Sequence, residues 1–328
     1  GLSQYERSGS DMKILITGGT GLVGSNVIKA AREEYDAEVV ATLYTRKPEV
    51  AWDAQVAHLD LEDPVSVRRV IEEHQPQAVI HCGAPRDEDR LEVDHKWGWR
   101  VMVEGTRAMA DACRDTGARL VFVSSDWVFG QGGQPPYGEE SPPCPANYFG
   151  LLKVVGETLV SSRCEDYAIV RIAGVYGPNW SHPSHAQTEA GVGLGWLANY
   201  YVHRLSQGKP VAVWTDHINV LASPSLASDV ASVLLALAYG DQQGIFPGSG
   251  RDGVSRLELA QAVARTFDYD GSLVHPATAE EMDAGLLRSK LSAPRDSRLQ
   301  VARSEARLDR TNMGLAEGLR VYRRQLQD

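Results

Sequence analysis

Cysteine is scarce. Cys82, Cys113, Cys144 and Cys164 are the only four in 328 residues, widely spaced, with no CxxC pair and no histidine cluster beside them. That pattern excludes a disulfide framework and a structural zinc site, and no other metal site is expected. Buried free thiols are the expectation, consistent with a reducing, cytoplasmic setting. Positive charge is short as well: 33 Lys and Arg stand against 43 Asp and Glu, a net charge of −10. Without a concentrated basic face there is nothing to neutralise a phosphate backbone, so nucleic acid is excluded as a partner. No run of about 18 apolar residues occurs, which argues against a membrane span. Residues 1–11 are polar, lack the apolar stretch of a signal peptide, and read as a disordered leader.

What is present is a rhythm. Short apolar, largely β-branched runs fall at 12–17 (MKILIT), 38–44 (EVVATLY), 78–81 (AVIH), 120–124 (LVFVS) and 167–172 (YAIVRI). Amphipathic stretches lie between them. Asp63-Pro64 offers an N-cap followed by a first-turn proline, with Val67, Val70, Ile71 and His74 then at helical spacing. Two further helices are expected over 101–116 and 148–162. Continuous apolar strands alternating with helices predict an α/β fold, a doubly wound parallel Rossmann sheet covered on both faces. After Gly174 the pattern changes. Residues 177–195 are rich in Gly, Pro, Ser and His and read as a functional loop, either a substrate lid or a segment packing Trp180 on a second lobe. Helices at 196–207, 257–266 and 315–327 and a strand at 211–214 belong to a smaller α/β lobe. The expected organisation is an NAD(P)-binding domain over 12–174, rejoined by an apolar helix at 226–240, with 175–225 and 241–328 forming the substrate lobe.

The strongest chemical signal is ILITGGTGLVGSNV. Gly18, Gly21 and Gly24 follow a strand and open a helix in GxxGxxG spacing. Glycine lets backbone approach a pyrophosphate there, and the helix N-terminus presents free N–H groups and partial positive charge. Thr20, Leu22 and Val23 complete this candidate phosphate-binding turn. At the end of the second strand an acidic residue would favour NAD through the ribose 2′-hydroxyl. The chain instead reads Tyr44-Thr45-Arg46-Lys47, and two cations at that point suit a 2′-phosphate. NADP(H) is therefore favoured over NAD(H).

Further segments carry a resemblance. TGGTGLVG at 17–24, Asp60-Leu61, the His81-Cys82-Gly83-Ala84 turn, SSDWVFG at 124–130, NYFGLLKVVGE at 147–157 and PRDSRL at 294–299 are similar to the extended short-chain dehydrogenase/reductases, and within them to the dTDP-4-dehydrorhamnose reductases. The resemblance implies that Asp60 and Leu61 flank an adenine. It implies that Cys82, Gly83 and Ala84 line the pyrophosphate and nicotinamide ribose. Lys153 would hold the ribose hydroxyls, and Ser125 would bond the reacting carbonyl. The stretch from Lys209-Pro210 through Ser223, Ser225, Ser228 and Asp229 resembles the wall of the family's sugar-nucleotide pocket. The family commonly dimerises through the helices here expected at 101–116 and 148–162, so a homodimer is the corresponding expectation.

Two positions depart from the family. Its general acid is a tyrosine four residues before the lysine, and that position is Phe149. Its relay asparagine is replaced by Met102. A phenol beside an ammonium can pass a proton to a developing alkoxide; a phenyl ring cannot. Phe149 is then an engineered replacement, against which Met102 argues, or another group donates, or the protein binds nucleotide without turnover. Candidate donors are Tyr148, one residue or about 100° around the helix, Tyr176, His182, His185 and the substrate itself. The expected function is NADPH-dependent reduction of a carbonyl on a nucleotide-linked deoxysugar or a similar small polyhydroxylated or natural-product intermediate, by an oxidoreductase with an atypical active site. The alternatives are an NADP-binding regulatory subunit and a cofactor-retaining epimerase or dehydratase.

Overall fold

The computed structural model describes residues 12–85, 88–130, 132–184, 194–216, 219–278, 280–282 and 292–327. The expected leader at 1–11, His185 and much of the 177–195 loop lie outside them. Six parallel strands carry the first half of the chain: β1 (Lys13–Thr17), β2 (Glu38–Leu43), β3 (Gln55–His58), β4 (Ala78–His81), β5 (Arg119–Ser125) and β6 (Tyr167–Ile172). A seventh, Gly244–Pro247, joins β6 in parallel, giving the order 244–247, β6, β5, β4, β1, β2, β3. Chain order reverses between β1 and β4. In an open parallel sheet that reversal leaves a crevice beyond the carboxyl ends of the strands, where ligands bind.

The apolar runs explain the layers. Ile14, Ile16, Val39 and Ala41 face one side and pack on helix α1 (Leu22–Glu33) and the apolar helix Ala227–Tyr239. Leu15, Val40, Val79 and Leu120 face the other side, against α2 (Pro64–His74) and the helix Gly105–Thr116. The Asp63 carboxylate caps α2 by accepting from the Val65 N–H at 2.9 Å, with Pro64 in the first turn. A second core joins helices Leu194–Ser206, Arg256–Phe267 and Leu315–Gln325 with the short strand Val211–Trp214, which pairs with Val274–Ala277. No helix among the described residues is long and apolar enough to cross a membrane.

Three expectations need correction. Residues 244–247 belong to the main sheet, not to the second lobe, so the first lobe reclaims chain twice, here and at Ala227–Tyr239. The helix expected over 101–116 starts earlier, at His95, and runs without interruption to Thr116 through a wider turn at Arg100–Glu104; a separate short helix, Glu88–Val93, precedes it. The 178–184 part of the loop packs on the first lobe rather than the second. Trp180 Nε1 donates to Asn26 Oδ1 at 3.1 Å, and Ser181 Oγ donates to the Gly19 carbonyl at 2.8 Å.

Candidate active site

The glycine turn ends β1 at the switch point. Gly18 has φ +68, a left-handed conformation that disfavours any side chain, and its Cα side faces the backbone of Gly83. Gly21 is the N-cap of α1, and that cap has no side-chain hydrogen bond and no acidic residue in its first turn. The amide end of α1 therefore carries uncompensated partial positive charge. A cavity of ≈ 340 Å³ opens beside this turn. Thr17, Gly18 and Thr20 form its floor; Thr42, Tyr44, Thr45 and Arg46 form one wall; Asp60, Leu61 and Trp97 close the far end; Gly83 and Ala84 form the opposite wall.

The structure places Gly18, Thr20, Arg46, Asp60, Leu61, Gly83 and Ala84 around one space. Gly21, Leu22, Val23, Gly24, Lys47 and Cys82 are not part of its lining. Lys47 is exposed, Leu22 is buried in the α1 packing, and Cys82 packs against the main core. Gly24 has a packing role: a Cβ there would sit 2.8 Å from the Gly18 carbonyl carbon. Arg46 is half-buried and makes no hydrogen bond or ion pair among the described residues. Its guanidinium is available to a ligand phosphate.

Behind the turn, His81 Nδ1 lies 2.7 Å from Thr17 Oγ1, and the Gly83 N–H donates to that same oxygen at 2.9 Å. Burial, aided by the Lys153 charge, depresses His81 to about 3, so the ring is neutral and works as a strut. A second strut was not legible in the sequence. Trp52 Nε1 donates to Ser181 Oγ at 2.8 Å, and the Glu49 N–H donates to the Ser181 carbonyl at 2.8 Å. Segment 178–184 thereby ties the glycine turn to the loop that follows Arg46. His182 is buried within this brace, its Nδ1 3.5 Å from Glu49 Oε1.

Around the carboxyl end of β5 sit the remaining candidates. Lys153 is 6% exposed, donates from Nζ to the Val123 carbonyl at 2.8 Å, and lies over the rings of Phe122 and Phe149. Burial lowers it to about 8, partly offset by Cys82 and Glu157. Phe149 meets Trp127 edge-on with centroids 5.9 Å apart, so the ring at the family's tyrosine position does face Lys153. Tyr148 does not replace it. Its hydroxyl donates to the His95 carbonyl at 2.8 Å and its ring stacks on His95, while burial raises its pKa. Tyr176 is buried in the second core with its pKa pushed far up by burial, which removes it as a donor too. Met102 packs with Leu152 in an apolar cluster, its carbonyl accepting from Thr106 Oγ1 at 2.6 Å.

The serines expected in a sugar-nucleotide wall serve another end. Ser225 Oγ donates to the Ala173 carbonyl at 2.6 Å, and Asp229 pairs with Arg310 at 2.6 Å, so both stitch the lobes together. One residue was passed over. Asp126 accepts from Ser125 Oγ at 3.1 Å and from Ser297 Oγ at 2.6 Å. It had been visible only as part of a motif, because Ser297 lies 171 residues away.

A seven-stranded parallel sheet with a glycine turn at its switch point, a serine at the end of β5 and a lysine on the helix packed beside it, defines an oxidoreductase fold of the extended short-chain dehydrogenase/reductase class. Within it, the chain belongs to the family of the RmlD substrate binding domain, which matches residues 12–317. It is 30% identical over 278 residues to methionine adenosyltransferase 2 subunit beta of Xenopus tropicalis, spanning 83% of this chain and 77% of that one. It is 26% identical over 277 residues to dTDP-4-keto-6-deoxy-D-glucose reductase of Streptomyces niveus, spanning 84% and 86%. Among solved structures, dTDP-4-dehydrorhamnose reductase of Bacillus anthracis in complex with NADP superposes with TM-score 0.74 at 23% identity, covering 95% and 98% of the two chains.

Proposed function

We propose that this protein reduces a carbonyl on a nucleotide-linked deoxysugar, with NADPH supplying the hydride. The observation that carries the reading is the cavity that Gly18, Thr20 and the Arg46 guanidinium line together just ahead of the uncapped start of α1, on the scaffold of this reductase family. The adenosine end would lie between Asp60-Leu61 and Arg46, the pyrophosphate against Gly18 to Val23, and the nicotinamide ribose toward Gly83 and Lys153. Ser125 would hydrogen-bond the substrate oxygen, and Lys153, sheltered by two rings, would hold positive charge near it. The Streptomyces relative's name supports a dTDP-4-keto-6-deoxyhexose as the compound to try first.

The direct test is a spectrophotometric assay of NADPH consumption with dTDP-4-keto-6-deoxyglucose and with ketone-free dTDP-glucose. Oxidation with the first and none with the second is expected. Phe149 favours one second reading, a nucleotide-binding subunit without turnover, and the name of the Xenopus relative accords with it. Tight NADPH binding without consumption by any ketosugar would select that reading instead.

Arg46 makes a second prediction. Charge-assisted hydrogen bonds contribute about 1.5–3 kcal/mol each, so Arg46→Ala should weaken NADPH binding about 10- to 100-fold. NADH, lacking the 2′-phosphate, should bind equally well to both proteins. Equal losses for the two cofactors in a fluorescence titration would refute the assignment.

A further inference from the structure

Asp126 opens the short turn Asp126–Val128 at the end of β5 and is 5% exposed. Among the described residues it enters no salt bridge. Its carboxyl meets two hydroxyls instead: Ser125 Oγ, 3.1 Å from Oδ1, and Ser297 Oγ, 2.6 Å from Oδ2. The Trp127 N–H donates to Ser125 Oγ at 3.1 Å, which fixes that hydroxyl between backbone and carboxyl. Charged groups on the surrounding elements are engaged elsewhere. Asp296 and Arg298, flanking Ser297, pair with each other at 2.7 Å. On the helix Tyr148–Arg163, Lys153 is bonded to the Val123 carbonyl and Glu157 to Arg171. Burial outweighs the two hydroxyl bonds and the backbone N–H groups of Asp126 and Trp127, and pushes the Asp126 carboxyl up to about 6.

We propose that Asp126 is the proton source for the reduction, acting through Ser125 in the role that the ring of Phe149 cannot fill. The inference rests on the reductase reading above, with NADPH as hydride donor. As hydride reaches the carbonyl carbon, the carbonyl oxygen takes the Ser125 Oγ proton. The Ser125 O–H bond breaks and re-forms with the proton from Asp126 Oδ1. The carboxylate left behind accepts from Ser125 and Ser297, and solvent returns one proton after product departs. Net, one ketone, one NADPH and one solvent proton give one alcohol and one NADP⁺. A phenol at position 149 would donate directly; here the chain stores the proton one residue away. Ser297 completes the arrangement by holding the carboxylate product, which ties the distant 294–299 segment to the chemistry.

The test is Asp126→Asn, close in shape and unable to give up a proton. With dTDP-4-keto-6-deoxyglucose, kcat should fall on the order of 10²–10⁴-fold with KM little changed. An acid must be protonated to act, so wild-type kcat/KM should fall tenfold per pH unit above about 6. That limb should vanish in Asp126→Asn. A readout without turnover uses ¹³C-labelled aspartate: the carboxyl resonance absent from Asp126→Asn should titrate near 6 in the cofactor-free wild type. Should Asp126→Asn fail to fold, Ser297→Ala serves, since losing a donor to the carboxylate must move the same limb to higher pH. A kcat within threefold of wild type in Asp126→Asn, or an alkaline limb near 8 that Ser297→Ala leaves in place, would overturn the proposal; the latter would assign the proton to Lys153. If wild type consumes no NADPH with any ketosugar while binding it, the reductase reading falls and the relay with it. Normal wild-type turnover with an indifferent Asp126→Asn sinks the relay alone.

Discussion

Glu157→Gln is expected to lower the unfolding free energy by about 3–5 kcal/mol, the range found when one partner of a buried ion pair is removed. Glu157 accepts from Arg171 Nε at 2.9 Å, from Arg171 Nη2 at 2.7 Å and from Ser124 Oγ at 2.6 Å. The two side chains are 7% and 1% exposed. Among the described residues Arg171 Nη1 has no hydrogen-bond partner, and the guanidinium lies 5.0 Å from the Phe129 ring. Glutamine keeps the shape and leaves a buried cation uncompensated. The measurement is a urea transition with unchanged slope and a shifted midpoint. Glu140→Gln is the control: that pair with Arg303 is 83% and 58% exposed, and its loss should cost under about 1 kcal/mol. Equal shifts for the two variants would show that the buried pair is not what holds the helix Tyr148–Arg163 on β5 and β6. The consequence is functional as well, because this pair and the Ser124 bond anchor the strand end that carries Ser125 and the helix that carries Lys153.

The first lobe was legible because its signals are local. Gly18 requires a left-handed turn, Asp63-Pro64 caps a helix by its own geometry, and the buried parallel strands are apolar without interruption. Such features act over a few residues, and each was found where the pattern placed it. The strand Gly244–Pro247 was not, since it is four residues long, begins at a glycine, ends in proline and pairs on one side only. What makes it a strand is the open edge of β6, which composition does not reveal. The helix expected from 101 starts earlier, at His95, because Asp94 caps it there by accepting from the Trp97 N–H at 3.0 Å. The lining of the cavity beside the glycine turn was readable for the residues at strand ends. Trp97 was not, since it reaches the cavity by donating to Glu62 at 3.2 Å from a helix whose position only the tertiary fold sets. Lys47 follows Arg46 in sequence yet is exposed, because both lie in the irregular segment after β2, where no strand or helix period fixes which side chain faces inward. Asp126 shows the limit from the other side: its chemistry comes from burial and from a serine far along the chain.

Gly24→Ala should weaken NADPH binding by about a hundredfold or more while leaving a folded protein. The added methyl would fall inside the radius of the Gly18 carbonyl oxygen, 2.8 Å from its carbonyl carbon and 3.0 Å from the Gly19 Cα. All three are backbone atoms, which cannot rotate away as a side chain would. Either α1 or the turn between β1 and α1 must move by several tenths of an ångström. Overpacking of this kind costs about 1–3 kcal/mol of stability, which a chain with two cores of this extent tolerates. Phosphate contacts tolerate it less, since the amides of α1 and the turn backbone must converge on one pyrophosphate. Losing two charge-assisted bonds at about 1.5–3 kcal/mol each, with tenfold in affinity per 1.4 kcal/mol, gives the hundredfold. Gly271→Ala is the matched control, as a methyl there meets nothing within 4 Å. Isothermal titration and thermal melts on both variants separate the effects: Gly24→Ala should lose binding out of proportion to its drop in melting temperature, and Gly271→Ala should lose neither. Nucleotide affinity unchanged in a folded Gly24→Ala protein would mean that the helix and strand need not approach this closely for phosphate to bind.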